Sequence, residues 1–227
     1  MTPTLTKRAL LASTFGLLAT SALGCNQDPA ASPAGELPAD LDATGALTAD
    51  EAAGLIFMRD EEKLARDVYL TLGQSYDLPV FRNISSSEQR HMDAVLRLLD
   101  LYGLEDPVAG LEVGQLHHPR LQALHDDLIA SGQQSLEAAL RAGALIEETD
   151  IEDLRSRNAD TNEDAIHVVY DNLERGSHNH LRAFTWQLER IGAIYQPQLL
   201  SQSDYDAILA ESRGRRGGRG GRGGRWR

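Results

Sequence analysis

Six residues of the chain have types and spacings suited to holding a metal: Glu62, Glu88, His91, Glu147, Asp150 and His180. Carboxylate and imidazole together ligate iron, most readily here one or two ions, and manganese and zinc accept the same donors. Glu88-x-x-His91 places two such donors on one helix face about one turn apart, so both reach a single ion or a closely spaced pair. Tyr69 follows Glu62 by two turns on the same face, where its hydroxyl could hydrogen-bond a ligating carboxylate or supply an electron. A thiolate site is excluded, as is an intrachain disulfide, because Cys25 is the only cysteine.

The elements that must position these residues are four long amphipathic helices. Thr48 with Glu51 forms a capping-box pattern that opens the first, whose apolar stripe runs Leu55, Met58, Ala65, Tyr69 and Leu72 before Gly73. Its empty slot is filled by Glu62. The second begins at Pro79 and shows Phe81, Ile84, Val95, Leu98 and Tyr102, with Glu88 and His91 in the gap. The third, over residues 135–156, shows Leu136, Leu140, Gly143 and Leu154 around Glu147 and Asp150. The fourth, over residues 162–191, shows Ile166, Leu173, Phe184 and Ile191 around Ser177 and His180. A charged carboxylate in such a core costs several kcal/mol unless it is paired, protonated or ligated. All four helices break their stripe with a polar group, and one shared metal partner accounts for the common break.

Short connections near residues 74–78 and 158–161 make each pair of helices an antiparallel hairpin, whereas residues 103–134 form a long crossover containing a small helix over 119–130. The fold expected is all-α, a ferritin-like four-helix bundle with its long crossover between helices two and three.

The segments FMRDEEKLARDVY from Phe57 to Tyr69, SEQRHM from Ser87 to Met92, GALIEE from Gly143 to Glu148 and NHLRAF from Asn179 to Phe184 resemble domain-of-unknown-function family 2202. The resemblance spans residues 48–208, including Tyr195-Gln196-Pro197-Gln198 and the region of Tyr205. It implies a ferritin-like fold related to the rubrerythrins and brings no established reaction. It also implies that Glu62 and Tyr69 form the first-helix Glu-x6-Tyr motif, Glu88 and His91 the second-helix pair, and Glu147, with Asp150, the third-helix acids. Helix four departs from the wider pattern, since Ser177 stands where a Glu is expected three residues before His180.

Single residues have plainer roles to set beside these. Glu88 could be the capping-box partner of Ser85, but Phe81 and Ile84 carry the stripe further back and make it interior. Glu61, Glu148, Glu152 and Asp153 are expected on a solvated acidic face, and His117, His118 and His125 on the surface of the crossover. Tyrosines placed as Tyr69 and Tyr170 are more often packing residues than redox ones.

The chain ends are of different composition. Lys7 and Arg8 precede an apolar run ending Ala22-Leu23-Gly24-Cys25, which reads as an export signal with lipid attachment at Cys25, too short to span a membrane. The domains expected are signal 1–25, disordered spacer 26–46, helical domain 47–211 and an Arg/Gly-rich disordered tail 212–227. With Lys7, Arg8 and the seven arginines of the tail set aside, 13 basic residues face 34 acidic ones, so the body repels nucleic acid. Export would direct the basic tail toward anionic lipid headgroups, surface polysaccharide or the acidic body itself. Location is then the bacterial envelope, with plain secretion as the alternative. Two functions are compatible: an iron or manganese protein acting on oxygen, peroxide or ferrous iron, and a non-catalytic module whose polar core holds water or an organic cation.

Overall fold

A computed structural model describes residue 43 and residues 45–214, with side chains through residue 211. The expected export signal with Cys25, most of the expected spacer and residues 215–227 lie outside the described residues. Six helices and no strands occur among them: α1 (Ala49–Tyr76), α2 (Pro79–Leu101), α3 (Pro119–Gly132), α4 (Leu136–Asp160), α5 (Asp164–Arg190) and α6 (Gln202–Gly214). The chain is a helical bundle. α1 pairs with α2 and α4 with α5, α1–α4 and α2–α5 contacts join the hairpins, and α3 lies against α1 and α4. None of the described helices is long and apolar enough to cross a membrane.

Local chemistry sets the helix ends. Thr48 caps α1: its hydroxyl accepts the Glu51 N–H at 3.2 Å while the Glu51 carboxylate accepts the Thr48 N–H at 2.8 Å. Thr161, at the α4–α5 turn, donates to the same carboxylate at 2.7 Å, tying the two hairpins together at one end of the bundle. Pro79 occupies the first turn of α2, as its missing N–H favours. Gly73 does not end α1. The helix continues to Tyr76 and stops at left-handed Asp77 (φ 44°), while Gly73 sits in the hairpin contact, where an added Cβ would lie 3.1 Å from Cβ of Phe81.

The core is cut in two by the polar layer. One apolar cluster contains Leu64, Tyr69, Phe81, Ile84, Leu140 and Phe184; the other contains Leu55, Met58, Val95, Leu98, Leu154, Ile166 and Leu173. Along each long helix, the site residues fall between members of the two clusters.

Several residues expected in solvent are buried. Glu148 is 0% exposed, and its carboxylate accepts the backbone N–H groups of Gln198, Leu199 and Leu200 at 2.8 to 3.2 Å. It pins the segment that leads into α6, a helix not read from the sequence. Glu61 is 4% exposed because α4 packs over it. His125 is also buried, with its ring against Gly114, while His118 is half-buried, its ring edge-on to Phe57 and its Nδ1 accepting the Arg120 N–H at 3.3 Å. His117 and Glu152 are exposed as expected.

A charged seam holds the crossover on α1. Arg59 makes a two-pronged contact with Asp106 at 3.0 and 2.9 Å, and Asp60 accepts the N–H groups of His117 and His118 at 3.1 and 2.7 Å. Lys63, 1% exposed, donates to Asp67 at 2.5 Å and to the Glu112 carbonyl at 2.8 Å, and Asp67 also accepts the Gly114 N–H at 2.9 Å. Removing one member of a buried ion pair leaves the other uncompensated. Asp67→Ala should therefore lower unfolding stability by about 3–5 kcal/mol, read as a shift of the urea midpoint at constant slope; a midpoint within error of the parent would contradict that role.

Candidate metal centre

Each long helix delivers its donors from one face. Glu62 comes from α1, Glu88 and His91 from α2, Glu147 and Asp150 from α4, and Ser177 and His180 from α5, and all are at most 5% exposed. The pairs on α2, α4 and α5 share the three-residue spacing that stacks side chains on adjacent turns. Ser85 lies inside α2 with its hydroxyl on the Arg82 carbonyl, so Glu88 caps nothing.

Glu88 is the hub. Its two oxygens lie 2.7 Å from His91 Nδ1 and 2.8 Å from His180 Nδ1. Each imidazole nitrogen has a second carboxylate at 3.3 Å, Glu62 for His91 and Glu147 for His180. The two rings stack with centroids 5.4 Å apart. The result is two half-sites, Glu62–His91 and Glu147–His180, joined through one carboxylate. Glu88, His91 and His180 each offer a donor atom within 4.8 Å of the others, a buried cluster that could hold a metal ion.

These contacts are close without being good hydrogen bonds. Glu62 Oε1, Glu88 Oε1, both nitrogens of His91 and His180 Nδ1 are all buried without a correctly directed partner. An orphaned polar atom costs about 1–3 kcal/mol, so this many in one layer calls for a common partner. Donors bound about 2.1 Å from an ion and at right angles to each other stand about 3 Å apart, which is the spacing seen here. The residues present fit a carboxylate- and imidazole-bound metal.

Tyr69 reaches the centre from the first cluster, its hydroxyl donating to Glu147 Oε1 at 2.5 Å. The partner carboxylate belongs to α4 and not to Glu62 of its own helix. Burial, then the charge of Glu147, pushes the Tyr69 phenol far up, so it stays a donor. The Ser177 hydroxyl donates to Asp150 Oδ2 and has the Leu173 carbonyl at 3.0 Å as an alternative acceptor. Asp150 thus lies where α5 has no carboxylate of its own. Gly176, missed in the sequence, borders His91: an added Cβ would fall 2.5 Å from His91 Nε2. A mid-helix glycine four residues before His180 was the available signal, since glycine there costs about 0.5–1 kcal/mol relative to alanine. His178 faces outward to Glu174 and Glu211 at 3.4 and 3.3 Å and takes no part.

The model of an uncharacterised protein domain, DUF2202, matches residues 51–212. The chain belongs to the DUF2202 family. Uncharacterized protein MJ0754 of Methanocaldococcus jannaschii is 45% identical over 166 residues, covering 73% of this chain and 90% of that protein. The crystal structure of hypothetical protein MJ0754 from Methanococcus jannaschii superposes with a TM-score of 0.73 at 43% identity, covering 78% of this chain and 98% of that one. The DUF2202 domain therefore takes in the whole described bundle from the first turn of α1 to α6.

The charges of the centre set its response to pH. Burial opposes ionising Glu88, but the cationic forms of His180 and His91 outweigh it and hold its carboxyl well below the usual range. Burial likewise opposes the His180 imidazolium, yet Glu88 and Glu147 raise it to about 9. Glu62, raised by burial against the pull of His91, comes to about 7. Without metal, both shifts favour the protonated fold: the contribution of His180 is full below about 6.5 and lost through about 9, and that of Glu62 is full below about 4.5 and lost through about 7. A metal must displace these protons. Uptake at pH 7.5 should release protons into weak buffer, and affinity should rise between pH 6 and 9; proton-neutral, pH-independent binding would contradict this assignment of the centre.

Proposed function

We propose that the chain is a ferritin-like metalloprotein that binds iron, or manganese, through Glu62, Glu88, His91, Glu147 and His180, and that it oxidises ferrous iron or reduces peroxide. The observation that carries it is the buried layer in which two imidazole–carboxylate pairs share Glu88 and leave five of their atoms without hydrogen bonds. Two helical hairpins joined by a crossover, with donors projecting inward from all four long helices, support the ferritin-like comparison.

Glu62 and His91 would hold metal on one side of Glu88, and Glu147 and His180 on the other. Bound iron would supply one-electron redox chemistry toward oxygen or peroxide. The chain supplies the rest. The apolar clusters above and below exclude bulk water, Tyr69 orients Glu147 by donating to it, and Ser177 fixes Asp150 at the side where α5 brings no acid. Zinc would fit the same donors without redox chemistry.

Metal analysis of the purified chain tests this directly. Iron or manganese should be retained in stoichiometric amount, lost on Glu62→Ala or His91→Ala, and bound about 10–100-fold more weakly on Gly176→Ala, which crowds His91 without removing a donor. Protein that cannot be loaded with ferrous iron, manganese or zinc would sink the proposal. Oxygen or peroxide consumption by the loaded form separates catalysis from storage.

The basic pair Lys7-Arg8, the apolar run after it and Cys25 at its end support export and a lipid-anchored place at the cell envelope, with the basic tail directed to an anionic surface. Cys25→Ser should move the protein from the membrane fraction to the soluble one; an unchanged distribution argues against the anchor.

A further inference from the structure

One wall of the metal centre is also the floor of a cavity. A space of about 200 Å³ lies between α1, α3 and α4, with Leu64, Leu124, Leu145 and Ile146 among its apolar walls and Glu61 and Asp150 among its lining residues. Both acids are more than nine-tenths buried, and each leaves one oxygen, Glu61 Oε2 and Asp150 Oδ1, with no hydrogen-bond partner. Glu61 is the neighbour of Glu62 in sequence, and Asp150 sits one helical turn from Glu147. The cavity therefore shares Asp150 with the edge of the centre.

Its chemistry is specific. An apolar chamber with nothing polar in it stays dry and accepts hydrocarbon. Two carboxyl groups in such walls instead ask for a hydrogen-bond donor, and a positively charged one satisfies both oxygens while offsetting the cost of keeping acids out of water. The size sets the upper limit: an apolar cavity of about 150 Å³ holds benzene, so about 200 Å³ admits a ring or a short branched chain with one further group. We infer that this cavity binds a small primary amine with an apolar body, its ammonium on Glu61 and Asp150 and its hydrocarbon part among Leu64, Leu124, Leu145 and Ile146. The ammonium group offers three donors for the two unpartnered oxygens. The inference goes beyond the metal assignment and does not require an ion to be bound, although it would set an organic ligand at the edge of the centre.

The test is calorimetric titration of the full chain, both metal-loaded and metal-free, with benzylamine and with benzyl alcohol as its neutral counterpart. Benzylamine should bind at one site per chain, and the alcohol at least about tenfold more weakly, the scale of a charge-assisted hydrogen bond. Glu61→Gln should weaken the amine by about tenfold or more without changing metal content, and Leu145→Trp, at the half-buried part of the wall, should abolish binding by filling the space. The comparison of amine with alcohol needs no variant, so it stands even if a substitution disturbs folding. Absence of saturable benzylamine binding in both forms, equal affinity for the alcohol, or an affinity unmoved by either folded variant would overturn the inference. Amine binding by a chain that takes up no metal would leave the cavity assignment standing and remove the metal one; metal uptake with no amine binding would do the reverse.

Discussion

The bundle is organised around the problem of keeping charge out of water. Glu62, Glu88, His91, Glu147, Asp150 and His180 are withdrawn into one layer, and no apolar packing can compensate for the lost hydration of an ionised carboxylate. Proximity of opposite charges can. Glu88 between His91 and His180 is the central instance, and the remaining carboxylates are arranged around that cation–anion–cation line. The excess of acids over imidazoles still leaves protons or a cation to be held, and so burial pushes Glu62, Glu147 and Asp150 upward while Glu88 moves down. The unequal response of four carboxylates in one layer follows from which of them face two imidazoles.

The rest of the molecule keeps that layer in place. The capping box at Thr48 and the contact from Thr161 fix one end of the hairpins, and the left-handed turn at Asp77 closes the other. The crossover is fastened to the outer side of α1 by Arg59, Asp60, Lys63 and Asp67, so α1 carries buried charge on two faces. That arrangement explains why its sequence between Arg59 and Asp67 is dense in charge yet poorly exposed.

Much of this was legible in the chain. The stripe spacing located all four long helices and the polar slots in them, because a core position that is not apolar is conspicuous at a period of three and four residues. The choice of Glu62, Glu88, His91, Glu147 and His180 as a converging set rested on that rhythm, and the structure brings them together. The residues beside the stripe were less visible. Glu61 and Glu148 differ from Glu62 and Glu147 by one position, and a helix pattern assigns such neighbours to solvent unless another segment covers them. Their coverings come from far along the chain: α4 over Glu61, and residues 198–200 over Glu148. The partner of Tyr69 was also hidden, since heptad spacing shows which residues share a face and not which facing helix is nearer. α6 escaped notice because its few inward residues, Tyr205 and Ile208, make too short a pattern before the arginines begin.

The adjacent acids of α4 divide two tasks between consecutive residues. Glu147 turns to the centre and Glu148 turns away to grip the backbone of residues 198–200. Successive residues on an α-helix point about 100° apart, so the two grips together fix the rotation of α4 about its own axis. A single residue inserted upstream within this helix would swing Glu147 into the direction of Glu148 and leave Ile146 facing the centre, and a deletion would bring Glu148 to the centre and leave Thr149 facing residues 198–200, so either change forfeits one of the two contacts. The register of α4 is thus held from two sides, one by the centre and one by the backbone of the segment that leads into α6.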